Sequence, residues 1–332
     1  MIPEVRREPL TRRWTIVAPA RALRPAGEAD GPCPFCPGNE EQTPDEVLAY
    51  RDPASAPNGP GWWVRAFANL FPAAGPFAGE ARAEGIFDAA PAHGRHEVIV
   101  ETAEHDADLA TMVPEQAAEI VWAYRDRVRS LEDDARVRHV SVFRNRGALS
   151  GSTLAHPHSQ VVATAIVPSD VAHEVEGVVR YHDLRGTCAA CDTIAAEVRA
   201  AERVVLDDPS FVLLAPFASP FPYHMRIIPR AHAVSIAALE RPAIEALARV
   251  LQEACRALCV LHGADTSYNV CVKVAPRWNS SLREAFHWYV DVFPRLSPGP
   301  AGFELGTGAY INTVAPEAAA RALRATRAHV AL

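Results

Sequence analysis

The spacing of apolar residues divides the chain into two successive runs of predicted secondary structure. In the first run, a strand is predicted at residues 95–101. A helix is predicted from residue 114 to about 133, where apolar side chains recur every three or four positions. Two further strand-like runs follow at residues 140–144 and 156–163. The first run therefore has the order strand, helix, strand, strand.

The second run repeats this order with different loop lengths. Strand-like residues 224–229 precede a predicted helix from about 236 to 262, and strand-like runs follow at 268–274 and 286–293. Self-similarity of this kind indicates an internal repeat. It predicts an α+β protein of two similar halves, each an antiparallel sheet with helices, that pack as one unit.

The remaining residues connect these elements. We assign residues 1–168 to the first half and residues 169–332 to the second, with a join at 165–185 that contains a predicted helix. The segments 52–61 and 72–94 are rich in Pro, Gly and Ala, so we expect both to be loops.

Each half also carries cysteines and histidines at matched places in the repeat. A C-x-x-C pair comes first, one histidine follows a strand, and another opens the last strand. Zinc prefers four such ligands. A lone C-x-x-C can also be an ordinary or redox-active pair, but two pairs with matched histidines favour two structural zinc sites. The predicted ligands are Cys33, Cys36, His105 and His156 in the first half and Cys188, Cys191, His232 and His287 in the second.

The last strand of the first half carries a candidate nucleophile. Alternate residues of a strand share a face, so His156, His158 and Gln160 are predicted to point the same way. A neutral imidazole is a competent nucleophile near pH 7, and an amide can donate to phosphoryl oxygens. A histidine pair that only binds metal or fills the core fits the spacing equally well. The second half has Tyr289 and Asp291 at the matching positions, which predicts one catalytic centre per chain.

Composition narrows the setting in which this chemistry would occur. The 332 residues are 49% hydrophobic and 22% charged, which is typical of a globular protein. The formal net charge of −7 argues against a nucleic-acid partner. No apolar run has the length of a membrane helix, and no signal segment is recognised. Seven cysteines are an odd number for a disulfide framework. We expect a cytoplasmic protein with no membrane or nucleic-acid partner.

The chain resembles, over nearly its whole length, the galactose-1-phosphate uridylyltransferases, a family of the histidine-triad superfamily, and the motifs that carry the resemblance lie in its first half. They are REPLT at 7–11, WTIV at 14–17, ARALRP at 20–25, CPFCPGNE at 33–40, FANLFP at 67–72, FRNRG at 143–147 and STLAHPHSQ at 152–160.

The resemblance implies an activity and a set of site residues. The enzyme would move UMP from UDP-glucose to galactose 1-phosphate, giving UDP-galactose and glucose 1-phosphate, with His158 carrying the nucleotidyl group. Gln160 would assist in catalysis. Members of the family are usually dimers, so a homodimer is expected. The implied substrate contacts are Arg21, Arg24, Asn69, Asn145, Thr153 and Gln160.

Departures from the family pattern keep other activities open. The best-known members bind iron near the position of Asp291 and lack the pair Cys188 and Cys191. The chain looks closer to a two-zinc branch that includes an ADP-glucose-dependent adenylyl transferase, or ADP-glucose phosphorylase. Hydrolases of the superfamily have a third histidine where this chain has Gln160, which favours transfer over hydrolysis. A non-catalytic, zinc-held binding module is the third alternative.

Overall fold

A computed structural model describes residues 2–24, 31–277, 282–297 and 299–328. The strands are β1 (Glu4–Arg7), β2 (Trp14–Val17), β3 (Glu46–Arg51), β4 (Trp62–Ala68), β5 (Arg82–Glu84), β6 (Phe87–Pro91), β7 (Gly94–Val100), β8 (His139–Arg146), β9 (His158–Thr164), β10 (Val204–Asp207), β11 (Phe211–Leu214), β12 (Met225–Pro229), β13 (Tyr268–Lys273) and β14 (Tyr289–Pro294). The helices are α1 (Pro114–Glu132), α2 (Ser169–Arg185), α3 (Ala189–Ala200), α4 (Arg241–His262), α5 (Leu282–Ala285), α6 (Gly302–Thr307) and α7 (Pro316–Ala328).

The main sheet joins strands from both halves of the chain. Within the described ranges its order is β10-β11-β12-β14-β13-β8-β9-β7-β4-β3, and the paired strands are antiparallel. The expected α+β class with antiparallel sheets and helices is confirmed. The halves do not keep separate sheets, because β8 and β13 pair with each other from Tyr268↔Arg146 to Val272↔Val142. This pairing satisfies two strand edges that separate sheets would leave open.

Helices α1 and α4 cover one face of this sheet. The buried residues of α4 include Ile244, Leu247, Leu251 and Leu258, which recur every three or four positions and form one apolar stripe. They pack in the same core as strand residues such as Val161. Because side chains alternate along a strand, the neighbours of Val161 in β9 point away from this core.

A smaller sheet corrects one sequence-based expectation. Its order is β2-β1-β6-β5, and β5 and β6 lie in the segment 72–94 that composition predicts to be a loop. Strand β6 forms because it pairs along β1, from Glu4↔Pro91 to Arg7↔Asp88. Local composition cannot show a partner so distant in the sequence. Residues 52–61 do form turns, between β3 and β4.

Two further observations concern the chain as a whole. None of the helices in the described ranges has both the length and the apolar character needed to span a bilayer. Helix α2 begins at Ser169, next to the expected boundary between the halves, and that boundary stays a prediction.

Candidate active site and metal centres

The first cysteine–histidine group assembles from three loops. Cys33 and Cys36 lie before β3, His105 follows β7, and His156 lies just before β9; their ligand atoms are all within 4.8 Å of one another. The Sγ–Nδ1 distance is 3.3 Å from Cys36 to His105, 3.6 Å from Cys36 to His156 and 3.8 Å from Cys33 to His156. Tetrahedral zinc bonds place sulfur and nitrogen ligands about 3.6 Å apart. The group therefore has the composition and spacing to hold a metal ion.

The orientation of His156 supports this function. Its ring is fully buried, and its Nε2–H donates to the carbonyl of Thr102 at 2.8 Å, which leaves Nδ1 for the cysteines. A backbone acceptor behind a ligating histidine is the usual way to fix its tautomer. Phe35, within the cysteine loop, packs edge-on against both His156 and His158. The metal loop and His158 are thus in contact through one aromatic ring.

A second group of the same composition lies in the second half. It consists of Cys188, Cys191, His232 and His287, again with ligand atoms within 4.8 Å. The Sγ–Nδ1 distances are 3.5, 3.6 and 3.9 Å. His232 donates from Nε2 to the carbonyl of Arg283 at 2.8 Å, so its Nδ1 faces the cysteines. Both predicted groups therefore assemble, and each could hold a metal ion.

His158 and Gln160 share one face of β9, opposite the core. His158 is 8% exposed and Gln160 is 7% exposed. The strand begins at His158 rather than at His156, which corrects the expected start. Pro157 between them has no N–H to donate to the sheet. His156 therefore belongs to the loop, where it can turn toward the cysteines.

The hydrogen bonding of His158 exposes one ring nitrogen as a nucleophile. Its Nδ1 lies 2.9 Å from the backbone carbonyl of His156, an acceptor that requires the proton to be on Nδ1. Nε2 then carries the lone pair. Burial lowers the pKa of His158 below its usual range, so the ring is neutral at pH 7. A neutral ring with a free Nε2 is suited to attack on phosphorus or carbon.

Two cavities meet at His158. The Asn145 cavity, about 290 Å³, runs along the β8–β9 loop, and the Phe67 cavity, about 160 Å³, lies between β4, β7 and the cysteine loop. Thr153 lines both cavities, while Arg24 and Asn69 line the Phe67 cavity. A ligand that fills both cavities would pass directly over His158.

Two side-chain amides at these cavities have their oxygens occupied. Asn145 Oδ1 accepts a hydrogen bond from Asn269 Nδ2 at 2.8 Å, and Gln160 Oε1 lies 2.9 Å from His96 Nε2. The amide nitrogens of Asn145 and Gln160 are therefore the groups left to meet a ligand. Donors of this kind suit an anionic group such as a phosphate.

This geometry accompanies clear similarity to known proteins. A family profile described as "Galactose-1-phosphate uridyl transferase, N-terminal domain" matches residues 1–168, and a profile described as "Domain of unknown function (DUF4921)" matches residues 89–329. The ADP-glucose phosphorylase of Arabidopsis thaliana is 31% identical over 97% of this chain and 92% of its own length.

The chain belongs to the galactose-1-phosphate uridylyltransferase family. The galactose-1-phosphate uridylyltransferase of Thermotoga maritima is 28% identical over 98% of this chain and 99% of its own. A solved structure of a uridylyltransferase, 27% identical, superposes with a TM-score of 0.84 over 98% of this chain and 99% of that one. The resemblance inferred from the motifs is confirmed.

Among the expected substrate residues of this galactose-1-phosphate uridylyltransferase family member, Arg24 and Asn69 line the Phe67 cavity, whereas Arg21 lines neither of the two cavities. Arg21 Nη1 donates to the carbonyl of Phe71 at 2.6 Å and lies 3.4 Å from His96 Nδ1. Asn69 is bound to the same residue, because its Oδ1 accepts a hydrogen bond from the Phe71 N–H at 2.8 Å. The substrate contacts of Arg21, Arg24 and Asn69 stay predictions.

Sequence reasoning missed His96 and Asn269. Both act through hydrogen bonds across strands, which local spacing does not reveal. The repeat does carry a signal for His96, because His224 lies near the start of the matching strand, shortly before His232. For Asn269 no signal exists in the repeat, since its contact crosses between the halves.

The second half keeps the layout of the first but closes it with internal contacts. Tyr289 donates its hydroxyl to Glu174 at 2.6 Å. Asp291 accepts from Arg226 at 2.7 and 3.0 Å and lies 2.9 Å from His224 Nε2. These residues, Asp291 excepted, line a cavity of about 390 Å³. Tyr289 and Asp291, at the positions that match His158 and Gln160, are thus both engaged in contacts within the protein, and the single catalytic centre at His158 stays a prediction.

A buried polar network holds the strand from its core side. Ser159 and Tyr124 both donate to Glu101, whose other oxygen accepts from Arg144 Nε at 2.9 Å. Arg144 also donates to the hydroxyl of Tyr268 at 3.1 Å. Ser159 lies next to His158 in sequence and on the opposite face of β9, so the network fixes the strand from its core side, while Arg144 also lines the Asn145 cavity.

Proposed function

We propose that this protein transfers a nucleotidyl group from a nucleotide sugar to a phosphate-bearing acceptor through a covalent nucleotidyl-His158. The observation that carries the proposal is the neutral, nearly buried imidazole whose Nδ1 is bound to the His156 carbonyl and whose Nε2 faces the junction of two cavities. Family membership supports the same reaction class.

The first step forms one bond and breaks one. The lone pair on His158 Nε2 attacks the α-phosphorus, an N–P bond forms, and the P–O bond to the β-phosphate breaks. The sugar 1-phosphate leaves with that electron pair. The ring becomes cationic while Nδ1 keeps its proton, and the hydrogen bond to the His156 carbonyl stabilises the new charge. In the second step an acceptor phosphate oxygen attacks the same phosphorus, and His158 leaves as the neutral ring.

Three side chains would hold the phosphoryl oxygens during these steps. Gln160 and Asn145 offer amide N–H donors, because their oxygens are already bound to His96 and Asn269. Thr153 lines both cavities and adds a hydroxyl. Donors fixed before the reaction stabilise the transition state without reorganising.

We assign zinc to the two cysteine–histidine groups. Two thiolates and two imidazoles at these spacings suit tetrahedral Zn²⁺, and a set of four protein ligands leaves no open position for substrate. Zinc would stabilise the loops. At the first group it would also fix His156, whose carbonyl orients His158.

Two donor–acceptor pairs are candidates. The first is UDP-glucose with galactose 1-phosphate, supported by the Thermotoga maritima relative and the solved uridylyltransferase. The second is ADP-glucose with inorganic phosphate, supported by the 31% identity to an ADP-glucose phosphorylase over 97% of the chain. The cytoplasmic location and the homodimer stay predictions from sequence.

Mass spectrometry of the intact protein tests the proposal. The protein is mixed with UDP-glucose or ADP-glucose, without acceptor and without added magnesium, and the labelled peptide is mapped. We expect one nucleotidyl mass on His158 with one of the donors, and its loss when galactose 1-phosphate or inorganic phosphate is added. His158→Asn should stay folded and unlabelled. Labelling elsewhere, or none with either donor, contradicts the proposal.

A further inference from the structure

His96 is a buried residue of β7 whose two ring nitrogens both have partners. It is 4% exposed, and burial lowers its pKa to about 4, so the ring is neutral at pH 7. The backbone N–H of Ala73 donates to Nδ1 at 3.0 Å, and Arg21 lies against the same nitrogen. Nδ1 is therefore the acceptor, and the single ring proton is on Nε2.

This tautomer decides which way the Gln160 amide lies. His96 Nε2 is 2.9 Å from Gln160, and an N–H group requires an acceptor at that position. Asn69 cannot supply one, because its own oxygen is bound to the Phe71 N–H and it presents its amide nitrogen, 3.3 Å from His96 Nε2. The Gln160 atom facing His96 must be the carbonyl oxygen. Both amide N–H groups are then left for the His158 side.

We propose that His96 is a positioning residue that locks the Gln160 amide with its N–H donors directed at the phosphoryl group carried by His158. This inference rests on the proposed function, because only an anionic group at His158 needs these donors. His96 itself does not touch the reacting atoms. It acts by preventing the amide rotation that would turn the Gln160 oxygen toward the phosphoryl oxygens.

The second half provides an internal comparison. His224 stands in the place of His96 and lies 2.9 Å from Asp291, which stands in the place of Gln160. Arg226 pairs across from Asp291 in the sheet, where Val98 pairs across from Gln160. The partner of His224 is a carboxylate. Because its two oxygens are equivalent, His224 has no amide orientation to fix. In the half that carries His158, the matching residue is an amide with distinct ends, and Gln160 and Val98 both line the Phe67 cavity, whereas Asp291 is not among the residues that line the second-half cavity.

Two substitutions separate the two hydrogen bonds of His96. His96→Asn can keep an acceptor near the Nδ1 position for Ala73 but loses the donor to Gln160. His96→Gln can keep a donor near the Nε2 position but loses the acceptor for Ala73. We expect His96→Asn to slow nucleotidylation of His158 in single turnover by about 10- to 100-fold, since a misplaced donor costs less than the roughly 100-fold or more of a removed one. His96→Gln should retain a rate within about threefold of wild type.

In His96→Asn the binding constant of the nucleotide sugar should change much less than the rate of nucleotidylation. The reason is that the Gln160 amide stabilises mainly the charge that develops on the phosphoryl oxygens in the transition state. His224→Asn is the matched control in the second half and should leave the labelling rate of the folded protein unchanged. Equal rates for His96→Asn and His96→Gln, or a faster His96→Asn, would overturn the proposal.

Nitrogen-15 NMR of the wild-type protein gives a readout independent of catalysis. Long-range correlations of the His96 ring at pH 7 should report a protonated Nε2 and a bare Nδ1. A proton on Nδ1, or on both nitrogens, overturns the positioning proposal even if a variant fails to fold. Absence of any nucleotidyl-His158 in wild type with either donor instead refutes the proposed function, and the NMR result still decides the orientation of Gln160.

Discussion

The amide nitrogen of Asn269, in the second half, lies 2.8 Å from the amide oxygen of Asn145, in the first. The same nitrogen donates to the carbonyl of Ser150 at 3.0 Å, so both of its hydrogens are engaged. These contacts cross the β8–β13 pairing that joins the halves, where Asn269 stands opposite Asn145. The second half therefore sets the orientation of an amide in the first-half cavity.

A graded pair of substitutions at Asn269 tests this link. Asn269→Ala removes the donor and lets the Asn145 amide rotate, whereas Asn269→Asp places a carboxylate against its oxygen and forces the amide to reverse. We expect nucleotidyl transfer to fall in the order wild type, Asn269→Ala, Asn269→Asp, with the last reduced by about 10-fold or more. Initial rates at saturating donor measure this. An Asn269→Ala variant slower than Asn269→Asp would contradict the orientation argument.

The two metal groups should differ in their effect on activity. Cys33→Ser and Cys188→Ser should each reduce bound zinc from two ions per chain to one and lower the melting temperature, since a structural metal contributes to folding free energy. Only Cys33→Ser should also slow transfer in protein that is still folded, because its group holds His156, whose carbonyl binds His158. Metal analysis, thermal unfolding and transfer rates, all measured on the same samples, test these expectations. Equal loss of activity in both variants would show that the metals act through stability alone.

Breaking the buried ion pair of Glu101 and Arg144, on the core side of β9, should cost much more unfolding free energy than breaking a surface pair. Glu101→Gln takes from Arg144 the carboxylate with which it forms an ion pair, in a place where the side chains of Glu101 and Arg144 are 0% and 3% exposed. Removing one partner of such a pair costs about 3–5 kcal/mol of unfolding free energy. Glu4→Gln is the control, because its partners Arg6 and Arg82 are mostly exposed, and it should cost no more than about 1 kcal/mol. Urea unfolding at pH 7.5 measures both.

Stability should fall on acidification through two buried histidines. Burial lowers the pKa of His96 to about 4 and, with the nearby Lys273, that of His139 to about 4, against about 6.5 in an unfolded chain. Between pH 4 and pH 6.5 the unfolded state binds more protons than the folded state. The stabilisation from the two neutral rings is therefore complete above pH 6.5 and is lost as the pH falls toward 4. Each ring can contribute up to roughly 3 kcal/mol to this loss.

His139→Leu isolates one of these contributions from the acid sensitivity of the metal ligands. The variant should lose less unfolding free energy than wild type between pH 6.5 and pH 4.5, whatever its stability at pH 7.5. Urea titrations at several pH values measure the two slopes. Parallel curves for variant and wild type would mean that His139 does not titrate on unfolding.

The sequence predicted the parts of this site that repeat and missed those that depend on strand pairing. The metal groups were predicted because the same ligands recur in both halves, and β9 was predicted because His158 and Gln160 alternate with core residues. The joined sheet, strand β6 and the partners His96 and Asn269 were not, since each depends on which strands lie side by side. The spacing of residues along the chain does not show which strands pair. The contact between Asn269 and Asn145, for example, follows from the register of β8 and β13.

The last prediction concerns the choice between transfer and hydrolysis at Gln160. An amide cannot take a proton from water, so the nucleotidyl-His158 intermediate should persist until a phosphate acceptor arrives. Gln160→His places a ring that can act as a base on the same face as His158, and it also loses the amide donors oriented by His96. We expect slower transfer to the acceptor and faster release of nucleoside monophosphate without one.

Measuring that release with no acceptor present separates the outcomes. Wild type should release nucleoside monophosphate far more slowly than it transfers the nucleotidyl group to the acceptor. In Gln160→His the two rates should become similar, or release should become the faster one. Gln160→Ala is the control, since it removes the amide donors without adding a base, and it should slow transfer while leaving release to water slow. Wild-type release as fast as transfer would make the enzyme a hydrolase. If Gln160→His changed neither rate, the phosphoryl contact would have to come from Asn145 and Thr153 instead.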